Sequence, residues 1–565
     1  MEDQMKERES KEKNRSALPG ATPDNENGDK IPLADDNDVA EDGTNKDGDD
    51  ESKPFTQLSD DSKRKIFGSE DDEDTGKGLE RTLTLTKCVT MIVGSIIGSG
   101  IFVTPTGVQE AAGSVGSSLL TWALCGIWCG LGAYVYAELG TLITKSGGEY
   151  VYIMEAFGPF LAFLRLWIES IVVRPCTITI VGLSFALYLL RPFYRDCDPP
   201  PWSTELIAVL MIVLVVNGRS DSVAVTHAIP QGCCSWVVVG VINCWSVRVV
   251  TIVQDWFTYA KLVVLILIIL TSAWYLFTGG SQYRESFEHI FEGNFRDPYQ
   301  ASVGFYSGLY AYQGWTYLNY ITDELINPRR TLPLAVMYSC VIVTTVYTLF
   351  NVALYVVISP DELQISPAVG VLYAEKMYGR LAFIMPICVA MSAFGAANGT
   401  VMTSSRLFCS GAREGQMPVL LTMINRRLRT PIPAVVFTCL LSICYLFLSN
   451  NLFVLITASQ VTAWLAITVV TLALFRLRCK YPDAPRPIKV NLIFPIIFVI
   501  GSFAIVVLPI FGSPVNTAIG LAVLFSAVPI YVIFIGLGTM PSRVKNWMYR
   551  FTVFWQKLFM VVDDN

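Results

Sequence analysis

Long apolar runs separated by short polar stretches dominate this chain from about residue 88 onward. Most of these runs approach the ~20 residues that a helix needs to cross a bilayer. We therefore predict an all-α polytopic membrane protein with twelve transmembrane helices. One of the twelve runs, near 205–245, is interrupted by polar residues. The other eleven lie near 88–110, 118–142, 159–190, 250–278, 299–325, 333–358, 379–411, 433–449, 452–476, 490–510 and 515–538.

Closely spaced glycines break the first and the sixth predicted spans, within residues 91–102 and 304–315. Taken alone, Gly94 and Gly98 are also typical of close helix packing. The second segment, however, combines its glycines with several polar residues, which at membrane depth normally face a bundle interior or a water-filled path. Broken helices at corresponding positions of two halves indicate a transporter's binding site. We therefore predict that helices 1 and 6 are unwound, with free N–H groups suited to a carboxylate.

Charge divides the chain into parts of opposite sign. Residues 1–80 contain 25 acidic and 12 basic residues, and the tail is too polar to bury a core. We expect a disordered acidic tail over 1–80, a transmembrane domain over 81–540 and a C-terminal tail over 541–565. Basic residues collect in alternate loops and after the last span, so both termini are expected to be cytoplasmic.

Several functional classes find no support in the composition. The chain has two histidines and 14 cysteines without regular spacing, so a metal site is not expected. No nucleophile–base pair appears, and we expect neither an enzyme nor a bound cofactor. We also expect no nucleic-acid partner. The expected surroundings of the transmembrane domain are the lipids of the bilayer.

Four charged residues within or beside the spans need partners or solvent. Lys261 lies one or two turns into a span, where it either reaches the membrane interface or places its ammonium beside the broken first helix. Arg174 lies well inside the third span and is expected to pair with acidic groups or backbone carbonyls. Glu138 and Glu149 are expected to be loop charges at the cytoplasmic end of helix 2.

Cys197 lies in a short hydrophilic loop on the expected outer face. An unpaired thiol in an oxidising compartment suggests an intermolecular disulfide, and a free thiol is the alternative.

The interrupted fourth span contains an anomaly. Joining Val215 directly to Gly240 restores one continuous apolar span, so residues 216–239 are in excess. Two interpretations remain: a retained intron or misjoined exon, or a true extracellular extension with partial unwinding of helix 4.

Seven motifs together resemble the light chains of heteromeric amino acid transporters, over roughly residues 82–555. The resemblance implies the amino acid–polyamine–cation superfamily, with a LeuT-type 5+5 inverted repeat and two additional helices. It also implies sodium-independent, obligatory exchange of amino acids across the plasma membrane. The motifs are Val93–Pro105, Tyr136–Gly140, Ser146–Tyr150, Tyr306–Tyr312, Ser405–Phe408, Ala412–Gly415 and Arg486–Lys489.

The same resemblance assigns roles to individual residues. Backbone N–H groups at Gly98–Gly100 and the Ser99 hydroxyl would receive the substrate carboxylate, while Ile96 and the carbonyls near Tyr310 would hold the α-amino group. Tyr310 would also close over the pocket as an aromatic gate, and Gln313 would line its side-chain end. The substrate-binding residues implied are Ile96, Gly98, Ser99, Gly100, Tyr310, Ala311 and Gln313.

Two further residues gain roles from the resemblance. Lys261 would place its ammonium where sodium-coupled relatives bind Na⁺. Cys197 would form the disulfide to a single-pass glycoprotein heavy chain.

Two departures from the family pattern concern the substrate. Gln313 replaces a small residue of typical large-neutral light chains, and also the acidic residue of relatives that accept cationic amino acids. Ala463, before Trp464, replaces an arginine of the cystine/glutamate exchanger, which the chain also resembles around Arg174. We therefore expect exchange of large neutral L-amino acids. The alternatives are a cystine/glutamate or neutral/basic exchanger, or a non-transporting amino acid sensor.

Overall fold

The computed structural model describes most of the chain after residue 82. The acidic tail, Cys197 and nearly all of the 216–239 segment lie outside the described residues, and the expectations about them stay predictions. The described residues are 83–145, 147–191, 193–194, 200, 202–217, 247–292, 298–366, 368–425, 432–448, 452–512, 514–536, 542–559 and 561–562.

Helices account for nearly all of the described structure, so the expected all-α class is confirmed. The first ten are α1 (Leu85–Ile96), α2 (Gly100–Ala112), α3 (Val115–Leu142), α4 (Glu149–Phe157), α5 (Pro159–Ile168), α6 (Arg174–Leu190), α7 (Ser203–Asn217), α8 (Val247–Thr278), α9 (Glu285–Glu288) and α10 (Pro298–Ala311). The others are α11 (Pro328–Val357), α12 (Pro360–Ile365), α13 (Val369–Tyr378), α14 (Ile384–Arg413), α15 (Ile432–Leu448), α16 (Leu452–Lys480), α17 (Ile493–Gly512), α18 (Pro514–Tyr531) and α19 (Ser542–Phe559).

Shorter elements complete the description. Among the described residues the only strands are β1 (Ile424–Asn425) and β2 (Val561–Val562), which pair antiparallel. Two π-helical segments lie at Glu169–Val173 and Val532–Gly536. The 3₁₀ turns lie at Ser281–Tyr283, Tyr317–Tyr320, Thr322–Glu324, Gly379–Phe383 and Val419–Thr422.

Length and hydropathy identify the helices that cross the membrane. Seven described helical segments pass both criteria, and α1 with α2 make an eighth if that bent pair is one span. Three shorter apolar helices lie at Ser203–Ile212, Ile432–Phe447 and Gly520–Tyr531. The protein is therefore a multi-pass membrane protein, while the total of twelve spans stays a prediction.

The broken first helix lies at the centre of the packed helices. α1 packs against α8, α11 and α14, and α2 packs against α10. α3 lies along α11, and α6 lies along α14. These neighbours surround the break between α1 and α2 with protein rather than lipid, as an interrupted helix in a membrane requires.

A π-helical turn divides the third predicted span into α5 and α6. Pro175 follows this turn, and proline cannot donate the hydrogen bond that continues an α-helix. In a π-helix, residues five positions apart are joined by the backbone hydrogen bond and lie on one face. Glu169 and Arg174 are five apart and form an ion pair, with Nε 2.6 Å from Oε2. The expected pairing of Arg174 with an acidic group is thus present.

The interpretation of Glu138 as a loop charge is wrong. Glu138 lies within α3 and is fully buried, and its carboxylate accepts hydrogen bonds from Arg478 at 2.5 and 2.9 Å. The Val490 backbone N–H also donates to it, at 2.8 Å. The error arose because Arg478 is 340 residues away in the sequence, where no local pattern connects the two.

Candidate functional site

The first break separates α1 from α2 with a bend of 47°. α1 ends at Ile96 and α2 begins at Gly100, so the three residues between them are outside both helices. The opening N–H groups of a helix have no acceptor within it. The first N–H groups of α2, at Gly100 and Ile101, therefore face the break, and the helix dipole adds positive potential there.

Side chains from two neighbouring helices, α8 and α14, donate hydrogen bonds to carbonyl groups on the other side of this break. Lys261 of α8 is buried and donates from Nζ to the carbonyl oxygens of Gly94 at 2.5 Å and Ile97 at 2.6 Å. Ser392 of α14 also donates to Ile97, at 3.1 Å. Of the two interpretations of Lys261, the structure excludes interfacial snorkelling and places its ammonium against the broken helix.

The second break follows α10, which ends at Ala311. The chain then turns at Gly314 with φ +121°, a left-handed region that favours glycine, and continues as 3₁₀ turns rather than as an α-helix. The Gln313 N–H donates to the Tyr310 carbonyl at 3.0 Å, which tightens the end of α10.

The two breaks contact each other directly. A Cβ atom added to Gly100 would lie 3.0 Å from Ala311 Cα, so these backbones approach as closely as glycine permits. The Tyr347 hydroxyl of α11 donates to the Ile96 carbonyl oxygen at 2.9 Å and lies 3.2 Å from that of Ala311. Three of the predicted site residues, Ile96, Gly100 and Ala311, therefore lie together, and the Tyr347 hydroxyl bridges two of their carbonyl groups.

The side chains of Tyr310 and Gln313 point to different surroundings. Tyr310 is buried against Cys176 and Ile180 of α6 and Ile456 of α16. The Gln313 Oε1 atom is buried and has no hydrogen-bond partner within the described part of the chain. Gln313 lines a cavity of about 40 Å³, large enough for a small polar group or one or two water molecules.

Four charged side chains on the wall of this cavity form a buried ion-pair network. Arg165 of α5 contacts both Glu149 and Glu169, and Arg174 pairs with Glu169. Arg174 Nη1 also donates to Thr403 Oγ1 of α14 at 2.7 Å. The two guanidinium groups and two carboxylates cancel in charge. The earlier interpretation of Glu149 as a loop charge is therefore wrong.

A second glutamine completes the polar lining. The Gln460 Oε1 atom of α16 accepts from Trp464 Nε1 at 3.1 Å, which leaves its Nε2 group buried and without a hydrogen-bond partner in the described chain. Gln460 and Gln313 line the same cavity. An unpartnered donor and an unpartnered acceptor thus face a space without net charge, which suits a neutral group that can form hydrogen bonds.

Sequence reasoning missed several of these residues. Tyr347, Ser392 and Gln460 lie in different helices, and nothing in their local sequence distinguishes them from core residues. Arg165 did carry a signal, because a charged side chain inside a span is costly, and it shares this signal with Arg174. Among the described residues, no group of three His, Cys, Asp or Glu side chains could hold a metal ion.

Comparison with known proteins identifies the relatives of this chain. A family model described as amino acid permease matches residues 83–537. The chain is 40% identical to the mouse large neutral amino acids transporter small subunit 2 over 489 residues, which cover 86% of this chain and 87% of that protein. It is 39% identical to the human cystine/glutamate transporter over 486 residues, or 86% and 91% of the two chains. The mouse b(0,+)-type amino acid transporter 1 is 38% identical over 436 residues, covering 77% and 84%.

Because the two breaks approach closely at Gly100, adding a single methyl group there should destabilise the protein. Gly100→Ala places a Cβ against the Ala311 backbone and should destabilise the protein by about 1–3 kcal/mol, as overpacking does. The apparent melting temperature of the purified protein measures this. Gly130→Ala in α3 is the matched control, because its Cβ would meet nothing within 4 Å. Equal melting temperatures for the two variants would contradict the contact between the breaks.

Proposed function

The chain belongs to the amino acid permease family, among the light chains of heteromeric amino acid transporters, and on that premise we propose that it exchanges large neutral L-amino acids across the plasma membrane without sodium. It is an amino acid transporter, not an enzyme. As a light chain it has a heavy-chain partner. We further propose that both of its termini are cytoplasmic, in agreement with the basic residues of alternate loops.

The observation that supports this proposal most directly is the arrangement of hydrogen-bonding groups at the first break. Its carbonyl groups are taken up by Lys261, Ser392 and Tyr347, whereas the opening N–H groups of α2 face the gap. A helix N-terminus of this kind attracts an anionic group. The carboxylate shared by all amino acids would therefore bind at the break formed by Gly98, Ser99 and Gly100. The opening N–H groups of α2 and the Ser99 hydroxyl would donate to it, whereas the Gly98 N–H already donates to the Ile96 carbonyl at 2.8 Å.

The α-amino group would bind on the carbonyl side of the junction between the breaks. Each carbonyl oxygen has two lone pairs, so that of Ala311 can accept from an ammonium as well as from Tyr347. The Ile96 carbonyl oxygen already accepts from Tyr347 and from the Gly98 N–H, at 2.8 Å, and would exchange the latter bond for one from the ammonium. Tyr310 would close the site from the side of α6. This arrangement uses the backbone for the invariant part of the substrate and leaves the side chains for selectivity.

Lys261 provides the reason to expect independence from sodium. Its ammonium lies 2.5–2.6 Å from two carbonyl oxygens of α1, which is the kind of contact a bound cation would make. A protein cation at this position would remove the need for a transported one. We propose that the Lys261 ammonium takes the place of Na⁺ beside the broken helix.

The cavity beside Gln313 supports a neutral substrate. Both of its arginines are already paired with glutamates, so neither is a free cation for a carboxylate side chain. Ala463 supplies no charge at the same wall. The chain is almost as similar to the cystine/glutamate transporter as to the large neutral relatives, so a cystine/glutamate exchanger is the second candidate function. The paired arginines and Ala463 favour exchange of neutral amino acids instead.

Counterflow into proteoliposomes tests the function. Vesicles loaded with unlabelled leucine should accumulate labelled leucine at equal rates in sodium chloride and in choline chloride. Lys261→Met should abolish exchange, because it removes the cation beside the broken helix and leaves the buried Gly94 carbonyl without its donor, at a cost of about 1–3 kcal/mol, while Ser392 still donates to Ile97. Lys376→Met, at a half-exposed surface pair, is the matched control and should retain it. Binding without exchange would support the sensor interpretation, and uptake of glutamate or cystine alone would support the second candidate.

A substitution at Gln313 is expected to change the substrate selectivity. Gln313→Asp would give the cavity wall a net negative charge and should raise exchange of arginine relative to leucine by about tenfold, the equivalent of ~1.4 kcal/mol. Gln416→Asp makes the same substitution outside the cavity and should leave the ratio unchanged. Unaltered selectivity in a Gln313→Asp protein that still exchanges leucine would show that Gln313 does not contact the substrate side chain.

Cys197 predicts the covalent link to the heavy chain. Cells that express both chains should show a high-mass band on a non-reducing gel, and Cys197→Ser should remove it. Cys444→Ser and Cys479→Ser are matched controls, since both of these cysteines are exposed and free in the structure. Persistence of the band in Cys197→Ser would assign the disulfide to another cysteine.

A further inference from the structure

The C-terminal helix α19 is amphipathic along its whole length of 18 residues. At 100° per residue, eight apolar residues fall on one face and every charged residue falls outside it. The helix contains four basic residues and no acidic one. The apolar face consists of Val544, Trp547, Met548, Phe551, Phe554, Trp555, Leu558 and Phe559.

Parts of this apolar face are open rather than covered by protein. Phe554 is 61% exposed and Phe551 43% exposed, although both contact the ring of Trp555, at 5.6 and 5.9 Å between centroids. Exposed aromatic side chains arranged along one helix face indicate an interaction surface.

The basic residues follow the edge of the apolar face. Arg543, Arg550 and Lys557 are spaced seven residues apart, so they occupy nearly one line along the helix, next to Phe554. Lys545 lies towards the opposite edge. Apolar residues between two basic margins are the pattern of helices that lie in the membrane interface and bind anionic lipid.

The two ends of α19 hold it close to the transmembrane domain. Five residues separate Gly536, at the end of the last helical segment, from Ser542. At the other end, Val561 and Val562 pair with Asn425 and Ile424, in the segment that follows α14. α19 also lies beside the turn Val419–Thr422. A helix tethered at both ends to membrane-spanning segments is kept near the membrane surface.

We propose that α19 is a lipid-binding helix that lies on the cytoplasmic leaflet and binds anionic phospholipids through its basic edge. The inference rests on the proposed cytoplasmic position of the C-terminus and not on the substrate. The cytoplasmic leaflet is the one that carries anionic lipids, so it supplies the charge that the four basic residues complement. The apolar face enters the boundary of the acyl chains, and β2 fixes the end of the helix against the protein.

Hydrogen–deuterium exchange of the full-length protein in lipid nanodiscs tests this proposal. One set of discs contains phosphatidylcholine alone, and the other contains roughly one-third phosphatidylserine. Peptides within 542–559 should exchange more slowly in the discs with phosphatidylserine. Basic residues near an anionic surface change the binding constant by about fivefold each, so Arg543→Gln, Arg550→Gln and Lys557→Gln together should remove most of the difference.

A charge-preserving variant provides the matched control. Arg543→Lys, Arg550→Lys and Lys557→Arg should keep the protection, and 1 M salt, which shortens the Debye length to about 3 Å, should weaken it. Unchanged exchange in the transmembrane peptides shows that each variant is folded. Equal protection in both kinds of disc would overturn the proposal, because α19 would then be held by its own protein or by apolar contact alone. Absence of protection in both would overturn it as well, and would favour a protein partner for this face.

Discussion

A helix that stops inside a membrane frees backbone groups that lipid cannot satisfy, and the centre of this protein is arranged around that constraint. Lys261, Ser392 and Tyr347 come from three different helices and take up the carbonyl groups at the end of α1. Because these carbonyls have partners in protein, the gap is left with N–H groups at the start of α2. The break therefore presents N–H donors and not carbonyl acceptors to the gap, and on this we base the proposal that it binds the substrate carboxylate.

The same constraint joins the two breaks into one unit. The Tyr347 hydroxyl lies between the carbonyls of Ile96 and Ala311, and Gly100 lies against the Ala311 backbone. Neither break can shift relative to the other without losing these hydrogen bonds or opening that contact. A site assembled from both is consequently held by the packing of α1, α10 and α11 rather than by the conformation of a single loop.

The ion-pair network near Gln313 shows how buried charge is made tolerable. A buried ion pair recovers its desolvation cost only with good geometry and additional hydrogen bonds. Here the π-helical turn brings Glu169 and Arg174 onto one face, and Arg174 lies 4.8 and 4.7 Å from the ring centroids of Tyr317 and Tyr320. Because each arginine is paired with a glutamate, the cavity wall is polar but has no net charge. Such a wall suits a neutral polar group better than a charged one.

The sequence by itself determined the class of the protein, the position of most helices and the two breaks. It could do so because the bilayer imposes a local rule: about 20 apolar residues make a span, and closely spaced glycines with polar neighbours mark where a span is interrupted. Only the tertiary structure decided the partners of the charged residues. It resolved the two interpretations of Lys261 and corrected those of Glu138 and Glu149, and it revealed Tyr347 and Gln460. The reason is distance along the chain: Glu138 meets Arg478 and Lys261 meets Gly94 only after the helices pack, so no local pattern specifies these contacts.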